Sequence, residues 1–314
     1  MPIGDAKEPD SFGEKVCLPF LLSSQNKDGG WGYRLRSRSR VESTSWALIA
    51  LQNLPQVDPW KEVIDRGVKW LLSSQLADGS WPSHPEEKQG SWCTSLSLLA
   101  LHAHGLDSPV VAKGLAWLLR TWPAEGGVWW RCRYWLQRSP RVVHQNFALR
   151  GWNWTPGTSS WVEPTSYALL VLQSHQEISS DRRLLRRRRL GEAMLLDRMC
   201  PGGGWNAGNP LVYGVAGRPA IGPTVWALLA LRSKPTRPEV IQSLDWLELA
   251  CGGILGPGSI SLAQICLETF GRRPEPLEPR LRSCYETNQF LDDLLTFAWA
   301  ILALNSNRRL LSAG

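Results

Sequence analysis

The strongest constraint on the fold is a pair of motifs that recur in fixed register. Residues 20–31 end in Asp-Gly-Gly-Trp, and residues 70–81 repeat them with small changes and end in Asp-Gly-Ser-Trp. A Thr- or Ser-led apolar segment follows each of these loops. The step from the loop Trp to the Thr is 13 residues three times: Trp31 to Thr44, Trp81 to Thr94 and Trp152 to Thr165. Such internal periodicity predicts a repeat architecture.

Each repeat unit predicts two helices of different character. The first carries charge, as in residues 61–72, and is expected to face water. The Gly that follows it is typical of a helix C-terminus, and the Thr or Ser before the next apolar run is typical of an N-cap. The second helix is nearly all apolar, as in residues 46–54, and a helix of this kind must be buried on every side.

The number of helix pairs predicts a closed ring. Inner helices are expected to start near 44, 94, 165, 224, 259 and 292, and outer helices near 12, 61, 109, 181, 237 and 276. Six pairs with buried inner helices and no polar capping repeat favour a ring over an open solenoid. We therefore expect one all-α domain at 12–305, with tails at 1–11 and 306–314 and an Arg- and Trp-rich insertion at about 130–151.

Charge and cysteine usage bear on partners and location. The net charge is +7, and some of the excess lies in two Arg-rich runs, 34–40 and 182–189. We interpret them as solvated surface, with peripheral membrane contact through the basic helix 181–190 as the alternative, and we expect no nucleic acid partner. Seven scattered Cys with no CxxC pair indicate reduced thiols in a cytoplasmic protein. The five His show no metal-ligand spacing, so we expect no metal and no other cofactor.

The repeated loop resembles a known family motif. The run Leu-Leu-Ser-Ser-Gln at 21–25, followed by Asp-Gly and Trp31, is similar to the QW motif of the prenyltransferase and squalene-cyclase repeat superfamily. The resemblance extends over about 12–305 and implies an (α/α)6 toroid of six inner and six outer helices. It also implies structural roles, tying outer helices to loops, for four residues: Gln25, Trp31, Gln75 and Trp81.

The resemblance implies an activity less specifically than it implies a fold. Class II terpene cyclases such as squalene-hopene cyclase carry Asp-x-Asp-Asp-Thr at an inner helix start, and residues 161–165 occupy that register. Glu163 matches the middle acid, but both flanking aspartates are missing. The resemblance implies protonation-initiated cyclisation of an apolar isoprenoid in the barrel cavity. The alternative is a non-catalytic toroid that binds an apolar or peptide ligand or a partner protein.

Acidic residues near the inner helix starts are the candidate catalytic groups: Glu42, Glu163, Asp292 and Asp293. In a ring of parallel inner helices, all helix N-termini face one mouth. A carboxylic acid held neutral by an apolar wall can donate a proton, and protonation of an alkene also needs a dry cavity. A carboxylate at a helix N-terminus can equally cap free N–H groups and interact with the helix dipole, so both roles stay open.

Aromatic residues of the inner helices are the candidate substrate contacts: Trp46, Tyr167, Trp226 and Trp299. Ring faces directed inward would stabilise a carbocation by about 0.5–2 kcal/mol each. The other interpretation is packing between inner helices. The Gly- and Asn-rich loop at 203–210 adds Trp205 and Asn206 as further candidate contacts, or forms a tight turn.

Overall fold

The fold is known from a computed structural model that describes residues 12–128, 132, 145–175, 181–253, 255–273 and 276–305. The expected tails at 1–11 and 306–314, and most of the expected insertion at 130–151, lie outside these residues. The division of the chain into tails, toroid and insertion therefore stays a prediction.

Within the described residues the chain forms twelve α-helices in six pairs. The outer helices are α1 (Leu18–Ser23), α3 (Lys61–Ser73), α5 (Pro109–Arg120), α7 (Arg182–Asp197), α9 (Pro238–Cys251) and α11 (Leu277–Asn288). The inner helices are α2 (Val41–Gln52), α4 (Cys93–Ala103), α6 (Val162–Ser174), α8 (Ile221–Ala230), α10 (Pro257–Thr269) and α12 (Leu294–Leu304). A short hairpin joins α7 to α8, with β1 (Leu211–Val212) paired antiparallel to β2 (Val215–Ala216).

The inner helices close into a ring. Each contacts the next in the order α2, α4, α6, α8, α10 and α12, and α12 contacts α2 again. Each outer helix packs on the inner helix of its own or the preceding unit, as α3 does on α2. The all-α toroid expected from the sequence is confirmed. Among the helices that the structure describes, none is long and apolar enough to cross a membrane.

The loop Trp is held in the same way in four units. Its indole Nε1 donates to an outer-helix carbonyl: Trp31 to Leu21 (2.8 Å), Trp81 to Leu71 (2.7 Å), Trp152 to Leu118 (2.9 Å) and Trp205 to Leu195 (2.6 Å). Its backbone N–H donates to the hydroxyl of an inner-helix Thr: Thr44, Thr94, Thr165 or Thr224. The constant spacing is therefore set by a hydrogen bond between loop and inner helix.

This bond corrects the expected role of the Thr as an N-cap. Helix α2 begins at Val41, three residues before Thr44, and α6 begins at Val162, three residues before Thr165. The Thr hydroxyl lies inside the first turn and serves the preceding loop, so it is not available to cap its own helix. The longer step from Trp205 to Thr224 accommodates the hairpin.

A Gln side chain and a glycine of the next outer helix complete the attachment of the loops. The Gln25 amide Nε2 donates to the Gly29 carbonyl (2.9 Å) and to the Val63 carbonyl of the next outer helix (2.8 Å). The Gln75 amide repeats both bonds with Gly79 and Val110. The next outer helix also carries a glycine against the indole: a Cβ on Gly67 would lie 2.6 Å from Trp31 Cζ3. These residues attach the loops to the outer helices.

Candidate active site

Three carboxyl groups meet at one mouth of the toroid. Glu42 is the second residue of α2, Glu163 is the second residue of α6, and Asp293 is the N-cap of α12. The charges of Asp293 and Glu163 both act on the Glu42 carboxyl. Closure of the ring of inner helices brings Glu42 and Asp293 together. At this closure the backbone N–H of Leu294, at the start of α12, donates to the Tyr33 carbonyl (2.9 Å) in the loop before α2.

The environment of the two glutamates favours their neutral form. Burial raises the pKa of Glu42 to about 7, and the charges of Asp293 and Glu163 add to the rise. A hydrogen bond donated by the Tyr33 hydroxyl to Glu42 Oε2 acts against this rise in the pKa of Glu42. Burial also raises the pKa of Glu163. Both carboxyls therefore hold a proton to higher pH than a solvated glutamate does.

The capping interpretation of these glutamates is not supported by the hydrogen bonds. Neither α2 nor α6 has a side-chain cap bond at its start. Asp293 does act as a cap, since its carboxylate accepts from the Thr296 backbone N–H (3.1 Å) and hydroxyl (2.6 Å). Asp292 is exposed and has a left-handed backbone (φ 55°), and its expected catalytic role stays a prediction.

The four aromatic candidates form one cluster beneath the acids, which we call the aromatic cluster: Trp46, Tyr167, Trp226 and Trp299. The Trp226 ring centroid lies 5.1 Å from that of Trp46 and 5.0 Å from that of Tyr167. The Trp46 ring also contacts the Trp299 ring edge-on at 6.0 Å. The rings thus pack on one another at the centre of the ring of helices. The indole N–H groups of Trp46 and Trp299 are buried with no hydrogen-bond partner in the described part of the chain.

The structure adds residues that sequence reasoning missed. Trp92 stacks on Tyr167 (centroids 5.7 Å apart) and contacts Trp154 edge-on (4.9 Å). A register signal could have found Trp92, because it lies two residues before Thr94, as Glu42 lies before Thr44. Gly222 holds this position in α8, and a Cβ there would lie 3.7 Å from Glu163 Oε1. The Glu163 carboxyl therefore has open space on its Gly222 side.

Trp205 and Asn206, the two expected substrate contacts of the loop at 203–210, make hydrogen bonds within the fold, and their contact with a substrate stays a prediction. Trp205 is fully buried and is one of the four loop Trp residues bound to an outer helix. The Asn206 side chain is used inside its own loop, because Oδ1 accepts from the backbone N–H groups of Gly208 (2.9 Å) and Asn209 (2.8 Å). The loop is a side-chain-stabilised turn, as Asn commonly makes.

The described residues contain no group of three His, Cys, Asp or Glu side chains arranged to hold a metal ion. His104 contacts the Leu48 carbonyl through Nε2 (3.1 Å), and His175 contacts the Val171 carbonyl through Nδ1 (3.0 Å). His144 lies outside the described residues.

Stability should depend on pH through Glu42. In the unfolded chain this carboxyl ionises near its ordinary pKa of 4.5, whereas the folded protein holds the proton up to about pH 7. The folded state therefore loses stability as pH rises between these values, by no more than about 3.5 kcal/mol at ~1.4 kcal/mol per pKa unit. Urea unfolding of the wild type at pH 5 and pH 7.5 measures the loss.

Glu42→Gln should reduce this pH dependence, while the exposed Glu286→Gln, which removes a matched charge, should leave it unchanged. A wild-type protein that gains stability from pH 5 to pH 7.5 by an amount that Glu42→Gln abolishes would contradict the raised pKa.

Comparison with known proteins finds a family match over part of the chain. Residues 14–91 match the squalene-hopene cyclase C-terminal domain. The chain is 43% identical over 89 residues to lanosterol synthase of Saccharomyces cerevisiae, covering 25% of this chain and 12% of that enzyme. It is 27% identical over 142 residues to a probable squalene–hopene cyclase of Sinorhizobium fredii, covering 41% of this chain and 22% of that protein. The chain thus covers well under two thirds of these relatives' lengths.

A solved structure shows the fold over the whole chain. An α-amylase from Clostridium perfringens superposes with a TM-score of 0.60 at 10% identity, covering 96% of this chain and 98% of that one. At this identity the likeness shows the fold alone. Since one fold can carry unrelated functions, the function must be inferred from the site.

Proposed function

We propose that the chain, in which residues 14–91 match the squalene-hopene cyclase C-terminal domain, cyclises an apolar isoprenoid by protonation at the acidic mouth of the toroid. One observation carries the proposal: Glu42, with a pKa raised by burial to about 7, and Glu163, also raised, share a mouth above the aromatic cluster. A neutral carboxyl next to ring faces is the arrangement that alkene protonation requires.

Glu163 is the proposed proton donor. No hydrogen bond to another side chain of the described part of the chain holds its carboxyl, and the missing side chain of Gly222 leaves room beside it. Glu42 is instead held by the Tyr33 hydroxyl. Transfer of the proton to an alkene carbon would leave a carbocation on the neighbouring carbon and a carboxylate on Glu163. Ring closure would move the cation along the chain, and loss of a proton from carbon would end the reaction as an isomerisation.

The aromatic cluster supports a role in stabilising the cation. Each ring face contributes about 0.5–2 kcal/mol to a nearby cation. The same rings also contact one another at 5.0–5.1 Å, and this observation favours the second candidate function, a toroid that binds an apolar ligand without chemistry. The two functions differ in whether a product forms.

Product analysis tests the proposal. The full chain is incubated with squalene and, separately, with geranylgeranyl diphosphate, and extracts are analysed by gas chromatography with mass spectrometry. We expect a cyclised isomer of one substrate with the wild type and with the matched control Glu286→Gln, and none with the double variant Glu42→Gln/Glu163→Gln. Saturable binding of either substrate without any product in the wild type would overturn the cyclase proposal and support the binding function.

A further inference from the structure

A groove lies between the outer helices α5 and α7, away from the acidic mouth. It consists of two adjoining cavities of about 520 Å³ and about 640 Å³ that share Ala116, Leu119 and Asp181 as wall residues. We call it the outer groove. It reaches Ser174 at the C-terminal end of α6, whereas Glu163 lies at the N-terminal end of that helix. The outer groove is therefore separate from the candidate active site.

The two cavities differ in chemistry. The first has an apolar wall of Leu106, Leu115 and Leu119 and also contacts the paired rings of His102 and His175. The second is lined by one aromatic ring and four arginines: Trp122, Arg120, Arg183, Arg186 and Arg187. The outer groove therefore joins an apolar compartment to a basic one.

Arg187 is a buried cation at the basic end. Its side chain is 2% exposed and its guanidinium lies between two indoles, 4.0 Å from the Trp122 ring centroid and 3.8 Å from that of Trp152. Nη2 donates to the Thr121 carbonyl (3.1 Å) and the Gly151 carbonyl (3.3 Å). Nε and Nη1 have no partner in the described part of the chain. A buried charge left without a counter-ion is costly.

The surrounding charges add to this cost. Arg186 and Arg150 also lie over the Trp122 ring, at 6.0 Å and 5.3 Å. Burial, with repulsion from Arg150 and Arg186, lowers the pKa of Arg187 to about 9. The acid that lines the basic cavity, Asp181, already accepts from the Arg183 backbone N–H (2.7 Å) as the N-cap of α7. The basic end is therefore short of negative charge.

We propose that the outer groove binds an amphiphile with a phosphate head, the head against Arg183, Arg186 and Arg187 and the apolar chain along Leu115 and Leu119. Arginine suits phosphate because its planar guanidinium donates two parallel hydrogen bonds to the oxygens. The positive N-terminus of α7 at Arg182 adds to the attraction. The proposal is independent of the cyclase proposal, since it uses none of the residues at the acidic mouth.

Two double variants of α7, each of which removes two positive charges, test the proposed phosphate site in the outer groove. The variant Arg183→Gln/Arg186→Gln removes two arginines of the outer groove, and the matched control Arg182→Gln/Arg189→Gln removes two exposed arginines of α7 that do not line it. Dodecyl phosphate is titrated calorimetrically into the full chain below its micelle concentration. We expect binding to weaken at least about 10-fold in the groove variant, as loss of a charged hydrogen bond predicts, and to stay within about 2-fold of wild type in the control.

Three further probes separate the parts of the proposal. Inorganic pyrophosphate should bind more weakly than dodecyl phosphate, and dodecanol, which lacks the head, should not bind. Vesicles of phosphatidylcholine with phosphatidic acid are then sedimented with each protein. Loss of vesicle binding in the groove variant alone identifies a membrane headgroup as the source, and binding of dodecyl phosphate without vesicle binding identifies a free amphiphile. Equal losses in both double variants, or no binding of dodecyl phosphate, would overturn the proposal.

Discussion

Replacing Glu163 with glutamine is expected to slow cyclisation by about 10²–10⁴-fold, the usual contribution of a positioned general acid. Glutamine keeps the size and polarity of the side chain and removes the proton, so binding of substrate should change little and the loss should fall on kcat. Initial rates of product formation over a range of substrate concentrations separate kcat from KM. A Glu163→Gln variant that keeps its wild-type kcat would remove Glu163 from the donor role.

Glu42→Gln provides the comparison for this result. The Glu42 carboxyl accepts a hydrogen bond from Tyr33, and its charge acts on the shared mouth. Loss of this carboxyl is therefore expected to change the pH dependence of kcat more than the magnitude of kcat. The wild-type rate should fall as pH rises above the range in which the glutamates hold their protons. If Glu42→Gln abolishes product and Glu163→Gln does not, the donor is Glu42 and the roles are reversed.

Replacing Trp31 with alanine is expected to lower the free energy of unfolding by about 3–5 kcal/mol, as removal of a buried Trp generally does. The side chain is fully buried, its N–H is bonded to the Leu21 carbonyl, and its ring fills the space above Gly67. Alanine would leave a cavity between α1, α2 and α3 and an outer-helix carbonyl without its donor. Urea unfolding of the variant and wild type measures the difference.

Trp31→Phe separates the two contributions. It keeps most of the ring volume and removes the indole N–H, so we expect a smaller loss of about 1–3 kcal/mol. Leu249→Ala is the surface control, since Leu249 is 81% exposed and should change stability by less than about 0.5 kcal/mol. A loss below about 1 kcal/mol in Trp31→Ala would contradict the structural role of the loop Trp.

The helix pairs could be predicted from the sequence because their signals are local. Apolar runs, Gly turns and the 13-residue step from Trp31 to Thr44 repeat along the chain, and each reflects contacts within one unit. The start of α2 was expected too late, at Thr44 and not at Val41, because the pattern cannot tell whether a Thr hydroxyl caps its own helix or binds the preceding loop. Whether Trp205 and Asn206 contact a ligand could not be decided from the sequence for a similar reason, since a buried structural Trp and a ligand-binding Trp look alike in a sequence.

The tertiary structure decided which of the candidate residues share one environment. The pKa of Glu42 depends on burial and on charges from α6 and α12, more than a hundred residues away along the chain. The sequence did not distinguish Asp292 from Asp293, yet the folded backbone exposes Asp292 and makes Asp293 the N-cap of α12. The sequence also showed Arg187 as one arginine in a basic run, whereas the packing of α7 beside α5 buries it between Trp122 and Trp152. The repeat and its apolar runs predicted the helix pairs, because these signals are local in sequence, and the number of pairs together with the family resemblance predicted the closed ring. The environments of the carboxyls and arginines were decided by long-range packing, because solvation and Coulomb interactions depend on distance in space.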